Sequence, residues 1–230
     1  MTAAANLSVD QDIIYPDSDG QPMSDNTKQF EWIVTIKGGL DALYKDDPNV
    51  FVAGDLLWYP VYGNNKLRVA PDTMVAFGRP KGYRGSYKQW LEDNIAPQVV
   101  FEILSPGNTL KEMAKKLEFY EVYSVEEYYL YDLDKNDLRI WNRVEGRLTV
   151  VEVTPSWVSP RLGIRFELNS ETMQIYRPDG RPFATYVELD RQRETAEQHA
   201  SDAQQRAETA EKRAEELAAK LRALGIDPDA

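Results

Sequence analysis

Glu102 is the charged residue of this chain least at home as an ordinary surface group, and Asp72 and Lys116 are the candidates to act with it. Glu102 lies within Val99-Val100-Phe101-Glu102-Ile103-Leu104, a nearly continuous apolar run of the kind found in strands covered on both faces. A carboxylate there is costly to bury unless it is paired, hydrogen-bonded or bound to a cation. Asp72 follows Pro71 and opens Thr73-Met74-Val75-Ala76-Phe77, again a charge at the mouth of an apolar strand. Two such carboxylates with a strand carbonyl nearby make an oxygen-rich pocket suited to magnesium, which takes few protein ligands and several waters. Singly, each has a plainer reading: backbone N–H groups or an arginine can satisfy a strand-end Glu, and Pro-Asp often caps a turn.

Lys116 belongs to TLKEMAKKLEFYEVYS, in which Leu110, Met113, Leu117 and Tyr120 form one stripe and Thr109 with Glu112 forms a capping box. Glu112, Lys116 and Tyr120 lie at i, i+4 and i+8, so they share a helix face beside that stripe. Either Lys116 makes a surface pair with Glu112, or a short return from the Glu102 strand carries its ammonium to Glu102.

Composition narrows the chemistry further. The chain has no cysteine and one histidine, His199, which removes thiol nucleophiles, zinc ribbons and poly-histidine metal sites and disfavours a serine-histidine triad. Carboxylates, lysines and a hard cation, Mg2+ or Mn2+, are the means left. A net charge of -11 opposes indiscriminate adhesion to nucleic acid or anionic membranes, so any polyanion site must be local. The N-terminus has no basic segment followed by an apolar one, and nowhere do eighteen apolar residues run together, which reads as a cytoplasmic protein without a membrane span.

Positioning these residues requires a core, and 230 residues with 42% hydrophobic content suffice for one domain and an appendage. Residues 1–24, rich in Asp, Ser, Pro and Gly, read as a loosely ordered arm, and residues 25–187 as the body. A helix is expected from Asn26 to Tyr44, its apolar pattern broken by Gly38 and Gly39. Strand-like runs follow in NVFVAGDLLWYPV, KLRVAPDTMVAFG, PQVVFEIL, EEYYLYDL, DLRIWNRV and RLTVVEVT, with the Lys116 helix between the third and fourth. Small hairpins, one turning at Pro178-Asp179-Gly180, close the body. This order implies an α/β or α+β body with a central mixed sheet.

Residues 188–224 change character. Ala196, Ala200, Ala203, Ala207, Ala210, Ala214, Leu217, Leu221 and Leu224 mark a heptad seam, which pairs copies of the chain, packs against the body, or belongs to a lone solvated helix. Gly225 and Pro228 are its expected stop, leaving 225–230 as a tail.

The ordered set Ala70-Pro71-Asp72, Phe101-Glu102-Ile103-Leu104-Ser105-Pro106, then Glu112, Lys116 and Tyr120, then Val125 to Asp132, resembles the Uma2 family of restriction endonucleases, within the PD-(D/E)XK nuclease superfamily. The resemblance implies an α/β restriction-endonuclease-like fold with a mixed central sheet flanked by helices, phosphodiester hydrolysis, Asp72 and Glu102 as metal-binding acids, and a contribution from the Ile103 carbonyl. It also implies a migrated catalytic lysine. The position two residues after the second acid, where the superfamily lysine stands, is Leu104, and the family pattern places the lysine at Lys116. Glu112 stands where members commonly carry Asp. Asp55 resembles a further family acid able to support the metal, and Glu31 is a candidate for the first-helix carboxylate of many superfamily members.

DNA, the expected partner, requires cations. Arg79-Pro80-Lys81-Gly82-Tyr83-Arg84-Gly85-Ser86-Tyr87-Lys88-Gln89-Trp90 carries four, with three aromatics and no acid. Lys81, Arg84 and Lys88 are the contacts expected there, unless the stretch is a solvated loop whose Tyr87 and Trp90 pack on the body. A homo-oligomer, as a dimer through the C-terminal helix, completes the expectation. The alternative is a catalytically inactive nuclease-fold module that binds nucleic acid or protein.

Overall fold

The computed structural model describes residues 13–20, 22–152 and 156–224, in two units that divide after Phe183. The body opens with α1 (Thr27–Leu43), capped by the Asn26 side chain, which accepts from the Gln29 N–H at 2.9 Å. Gly38 and Gly39 do not interrupt this helix. Gly39 is buried under the Phe183 ring, which a side chain there would displace, so the glycine serves packing and not termination.

The strands are β1 (Val50–Gly54), β2 (Trp58–Tyr59), β3 (Thr73–Phe77), β4 (Tyr87–Lys88), β5 (Val99–Leu104), β6 (Glu127–Asp132), β7 (Asp137–Val144), β8 (Arg147–Val151), β9 (Ser156–Val158), β10 (Arg165–Leu168) and β11 (Met173–Tyr176). A six-stranded sheet runs in the order β1-β3-β5-β6-β7-β8. It is antiparallel except between β5 and β6, which run parallel because α2 (Leu110–Val122) crosses between them. β2 and β4 form a small parallel pair, β9 to β11 form an antiparallel meander, and the Gly180 N–H to the Arg177 carbonyl closes the turn that follows β11.

Alternation along the strands sorts the core into two layers. Val99, Phe101 and Ile103 join Ile33, Ile36 and Leu40 of α1 with Phe166 and Ile175 of the meander. Val100 joins Met74, Trp58, Tyr87, Tyr120 and Tyr128 on the α2 side. Glu102, two residues beyond Val100, therefore projects into the α2 layer. The predicted capping box of α2 is present, with Thr109 and Glu112 bonded reciprocally.

Residues 14 to 17, expected in a loosely ordered arm, are held against the body. Tyr59 donates to the Pro16 carbonyl at 2.7 Å, Gly63 N donates to the Tyr15 hydroxyl at 2.6 Å, and the Tyr15 ring packs on Tyr59 and Trp90. Of the rest of the expected arm, residues 1–12 and 21 lie outside the described residues.

The second unit contains α3 (Tyr186–Ala223), started by a Thr185–Glu188 capping box and with no buried residue along its length. The expected stop at Gly225 and Pro228 lies outside the described residues.

Candidate active site

The β3/β5 register brings the two acids together. Thr73 pairs with Phe101, so continuing the ladder by one residue sets Asp72 opposite Glu102, and antiparallel partners project to the same face. β3 stops there, and side chains replace the missing ladder bonds. The Ile103 N–H donates to Asp72 Oδ2 at 2.6 Å, and the Ile103 carbonyl accepts from Gln29 Nε2 at 2.8 Å.

Lys116 completes the cluster. Its Nζ donates to Glu102 Oε2 at 2.7 Å, and the Tyr120 hydroxyl one turn further along α2 donates to Glu102 Oε1. The two residues share the helix face read from their spacing, and Glu102 reaches it by strand alternation. Glu112 does not join them. Its carboxylate accepts from Thr109 N and Thr109 Oγ1 at 2.9 and 3.0 Å, which holds its pKa below the usual value and leaves it on the surface as a helix cap.

Asp55 follows β1 with a left-handed φ of 47°, its N–H turned to the carbonyls of Pro71 and Asp72. Burial raises its pKa, helped by Asp19 and Glu102 and opposed by Lys116, so Asp55 shares the electrostatic surroundings of the other two acids. Glu31 is exposed on α1. The α1 residue that reaches the site is Gln29, 5% exposed, whose Oε1 also accepts from the Asp25 N–H at 2.8 Å. Gln29, Ile33, Ile36 and Leu40 follow the 4, 3, 4 spacing of a core stripe, and a polar residue in such a stripe is the signal that marks it.

The electrostatics describe a pocket short of positive charge. Burial, then the neighbouring Glu102, pushes the Asp72 carboxyl up to about 8, against the opposing pull of Lys116 and the Ile103 N–H. For Lys116 the largest influence, burial, lowers the pKa, but Glu102, Asp72 and Asp55 outweigh it and the amine is held above its usual value. Tyr128 contributes a buried hydroxyl with no hydrogen-bond partner among the described residues, its pKa raised by burial, then by Glu102 and Asp72.

The donors present are carboxylates and a carbonyl, the set a hard divalent cation takes. A carbonyl oxygen has two lone pairs, so the Gln29 bond leaves Ile103 able to share. Among the described residues no group of three or more acidic, histidine or cysteine side chains is arranged to hold a metal by itself, so water would fill most of the coordination sphere.

The two arginines of the basic loop are neutralised by acids just beyond it. Arg84 Nε meets Glu92 Oε1 at 2.5 Å, Arg79 Nε meets Glu92 Oε2 at 3.0 Å, and Arg79 also pairs with Asp93. The Arg84 guanidinium lies 4.0 Å from the Phe51 ring centroid, and the Lys88 ammonium 5.7 Å from that of Tyr15. Lys81 donates to the Tyr44 carbonyl. Tyr87 is fully buried, its hydroxyl bonded to the Ile95 carbonyl at 2.7 Å.

A mixed sheet with a crossover helix, bearing two acids and a lysine on one face, defines a restriction-endonuclease-like α/β protein. The model of the Uma2 family, described as "Putative restriction endonuclease", matches residues 20–173, and the chain belongs to that family. No curated protein matches the chain. One similar solved structure is described as a "putative nuclease belonging to DUF820" from Anabaena variabilis. It is 16% identical, with a TM-score of 0.44, over 59% of this chain and 72% of the other. Among the described residues no helix is long and apolar enough to cross a membrane.

Proposed function

We propose that this chain is a divalent-cation-dependent endonuclease that hydrolyses phosphodiester bonds in DNA, with Asp72, Glu102 and Lys116 as its catalytic residues. The observation that carries the reading is the 2.7 Å contact between Lys116 Nζ and Glu102 Oε2. An amine delivered from α2 lies against the second acid while the expected strand position holds Leu104.

Asp72 and Glu102 would hold a magnesium or manganese ion, with the Ile103 carbonyl as a further donor and Asp55 in support. Such an ion supplies charge at the phosphate and acidifies bound water. Lys116 then orients the attacking water and offsets the charge developing on the phosphate oxygens, a preorganised electrostatic role. Tyr120 holds Glu102 in place, and the Ile103 N–H fixes the rotamer of Asp72. Gln29 keeps the Ile103 peptide aligned from the other end.

Cleavage of labelled single-stranded, duplex and branched DNA with magnesium, with manganese and with a chelator tests this. Activity that requires the cation and disappears in Asp72→Asn supports it. Full activity in chelator, or in Lys116→Met, would sink it.

Leu104 and the net charge of -11 support a second reading, a non-catalytic module on the same fold. Cation-independent binding of nucleic acid or protein without any cleavage distinguishes it. For the tail, we read the alanine seam of α3 as a surface on which two copies of the chain pair, since its apolar positions find no burial within the described chain.

A further inference from the structure

β1 is an edge strand, paired on one side with β3. The Gly78 N–H bonds the Asn49 carbonyl at 2.8 Å, which sets the phase of the ladder: Phe51 and Ala53 turn their peptide groups to β3, while Val52 and Gly54 turn theirs outward. Beside that free edge lies a groove of about 420 Å3 whose lining includes Lys37, Phe51, Gly54, Lys81, Tyr83 and Arg84. Its Gly54 end abuts the site, because a side chain at Gly54 would meet the Asp72 carbonyl oxygen at 3.4 Å. The next residue is Asp55.

The lip of the groove is unusual in two ways. Tyr83, between Gly82 and Arg84, is fully exposed at 109%, so a large ring forgoes burial on the protein itself. Lys81 is the lining cation that no carboxylate neutralises among the described residues, whereas Arg84 is held by Glu92 and Lys37 by Asp41. A free aromatic face beside an ammonium that no carboxylate neutralises, one of its N–H groups on the Tyr44 carbonyl and the others left to a ligand, is the pairing that holds unpaired bases and their phosphates. The few cations of the groove match a binder that depends less on phosphate charge than a duplex-tracking surface does.

We infer that this groove takes an unpaired nucleic-acid strand and delivers it to the acids, making the substrate a single strand or a frayed end. The inference rests on the nuclease reading above for the word substrate, though not for binding. Tyr83 stacks on a base and Lys81 faces the backbone, while Lys37 is paired with Asp41 and Lys88 lies outside the lining.

Fluorescence anisotropy of the full chain in chelator, with a labelled oligonucleotide single-stranded and then annealed, tests the inference. The single strand is expected to bind at least about tenfold more tightly than the duplex, and Tyr83→Ala and Lys81→Glu each to weaken it about tenfold. Tyr62→Ala, which removes another exposed tyrosine away from the groove, should leave binding unchanged. Equal affinity for the duplex, wild-type binding by both groove variants, or no binding at all would overturn the inference. Cleavage of the same oligonucleotides with magnesium separates the two readings. Cutting that is indifferent to Tyr83 and Lys81 removes the groove and leaves the nuclease, while groove-dependent binding without cutting does the reverse.

Discussion

Asp72 Oδ2 accepts the N–H of Ile103 at 2.6 Å, in the place where β3 would otherwise have continued its ladder. The end of a strand thus exposes a peptide that a carboxylate must satisfy, and the same carboxylate is driven against Glu102. Both acids are buried, so folding carries an electrostatic cost that Lys116 only partly offsets.

That cost has a pH signature. The Asp72 carboxyl, raised from 3.8 to about 8, binds its proton more tightly in the folded than in the unfolded chain. Between those values the folded state holds more protons, so this group's contribution to stability is complete at low pH and is lost as pH rises through the window. Thermal unfolding of the metal-free protein from pH 4 to 8 should show Asp72→Asn relatively more stable towards the upper end. A constant difference between the two proteins across the range contradicts the burial of an ionisable Asp72.

Cation binding follows from the same imbalance. A divalent ion must displace the Asp72 proton, so binding should release protons near neutral pH and tighten as pH rises towards 8. Calorimetric titration with magnesium or manganese in two buffers of different ionisation enthalpy measures the release. Asp72→Asn and Glu102→Gln should each abolish it, whereas Glu112→Gln, at the helix cap, should leave it intact.

Lys116 carries the catalytic prediction. Lys116→Met should lower kcat about 100- to 1,000-fold, the usual cost of losing one preorganised charge-stabilising donor, with KM little changed. The Lys116 side chain is about a quarter exposed, so the stability loss should be modest, about 1 kcal/mol, after screening by water. Single-turnover cleavage alongside urea unfolding separates the two effects, and a variant that loses stability in proportion to activity would reduce Lys116 to a structural partner of Glu102.

Much of this site can be read from the chain. Alternation in Val99 to Leu104 puts Glu102 on the face opposite Phe101, and the four-residue spacing puts Lys116 and Tyr120 on one helix face. What spacing does not contain is register: that Asp72 stands opposite Glu102 depends on which residue of β3 pairs with Phe101, and that is set by packing across the sheet. The neutralised loop was hidden for a related reason, since Glu92 and Asp93 follow it in sequence and return to Arg79 and Arg84 only through the fold. Tyr15 docks through partners more than forty residues away, which no local composition discloses.

Gln29 is testable as a positioning residue. Gln29→Leu fits the core stripe of α1 but leaves the Ile103 carbonyl and the Asp25 N–H without their side-chain partner, at a cost of about 1–3 kcal/mol. Cation affinity and kcat should fall while affinity for an oligonucleotide measured in chelator stays constant. Gln29→Glu separates packing from hydrogen bonding, because it keeps the shape and the acceptor for Asp25 yet turns the donor facing Ile103 into a carboxylate. If the amide is only a filler, both variants should bind cations as the wild type does.

The seam of α3 yields the last prediction. Alanine at most of its positions lets two helices approach closely but buries little area per pair, so association through it should be weak and concentration-dependent. Light scattering of the full chain over a hundredfold dilution should show a dimer giving way to a monomer. Charges placed on the seam, as in Ala203→Glu with Ala210→Glu, should leave a monomer at every concentration, because each would set like charges against each other across the pair. Leucines at the same two positions should shift the midpoint towards lower concentration, since larger apolar side chains bury more surface. An unchanged monomer in all three proteins would assign the helix to solvent, with its alanines explained by helix propensity alone.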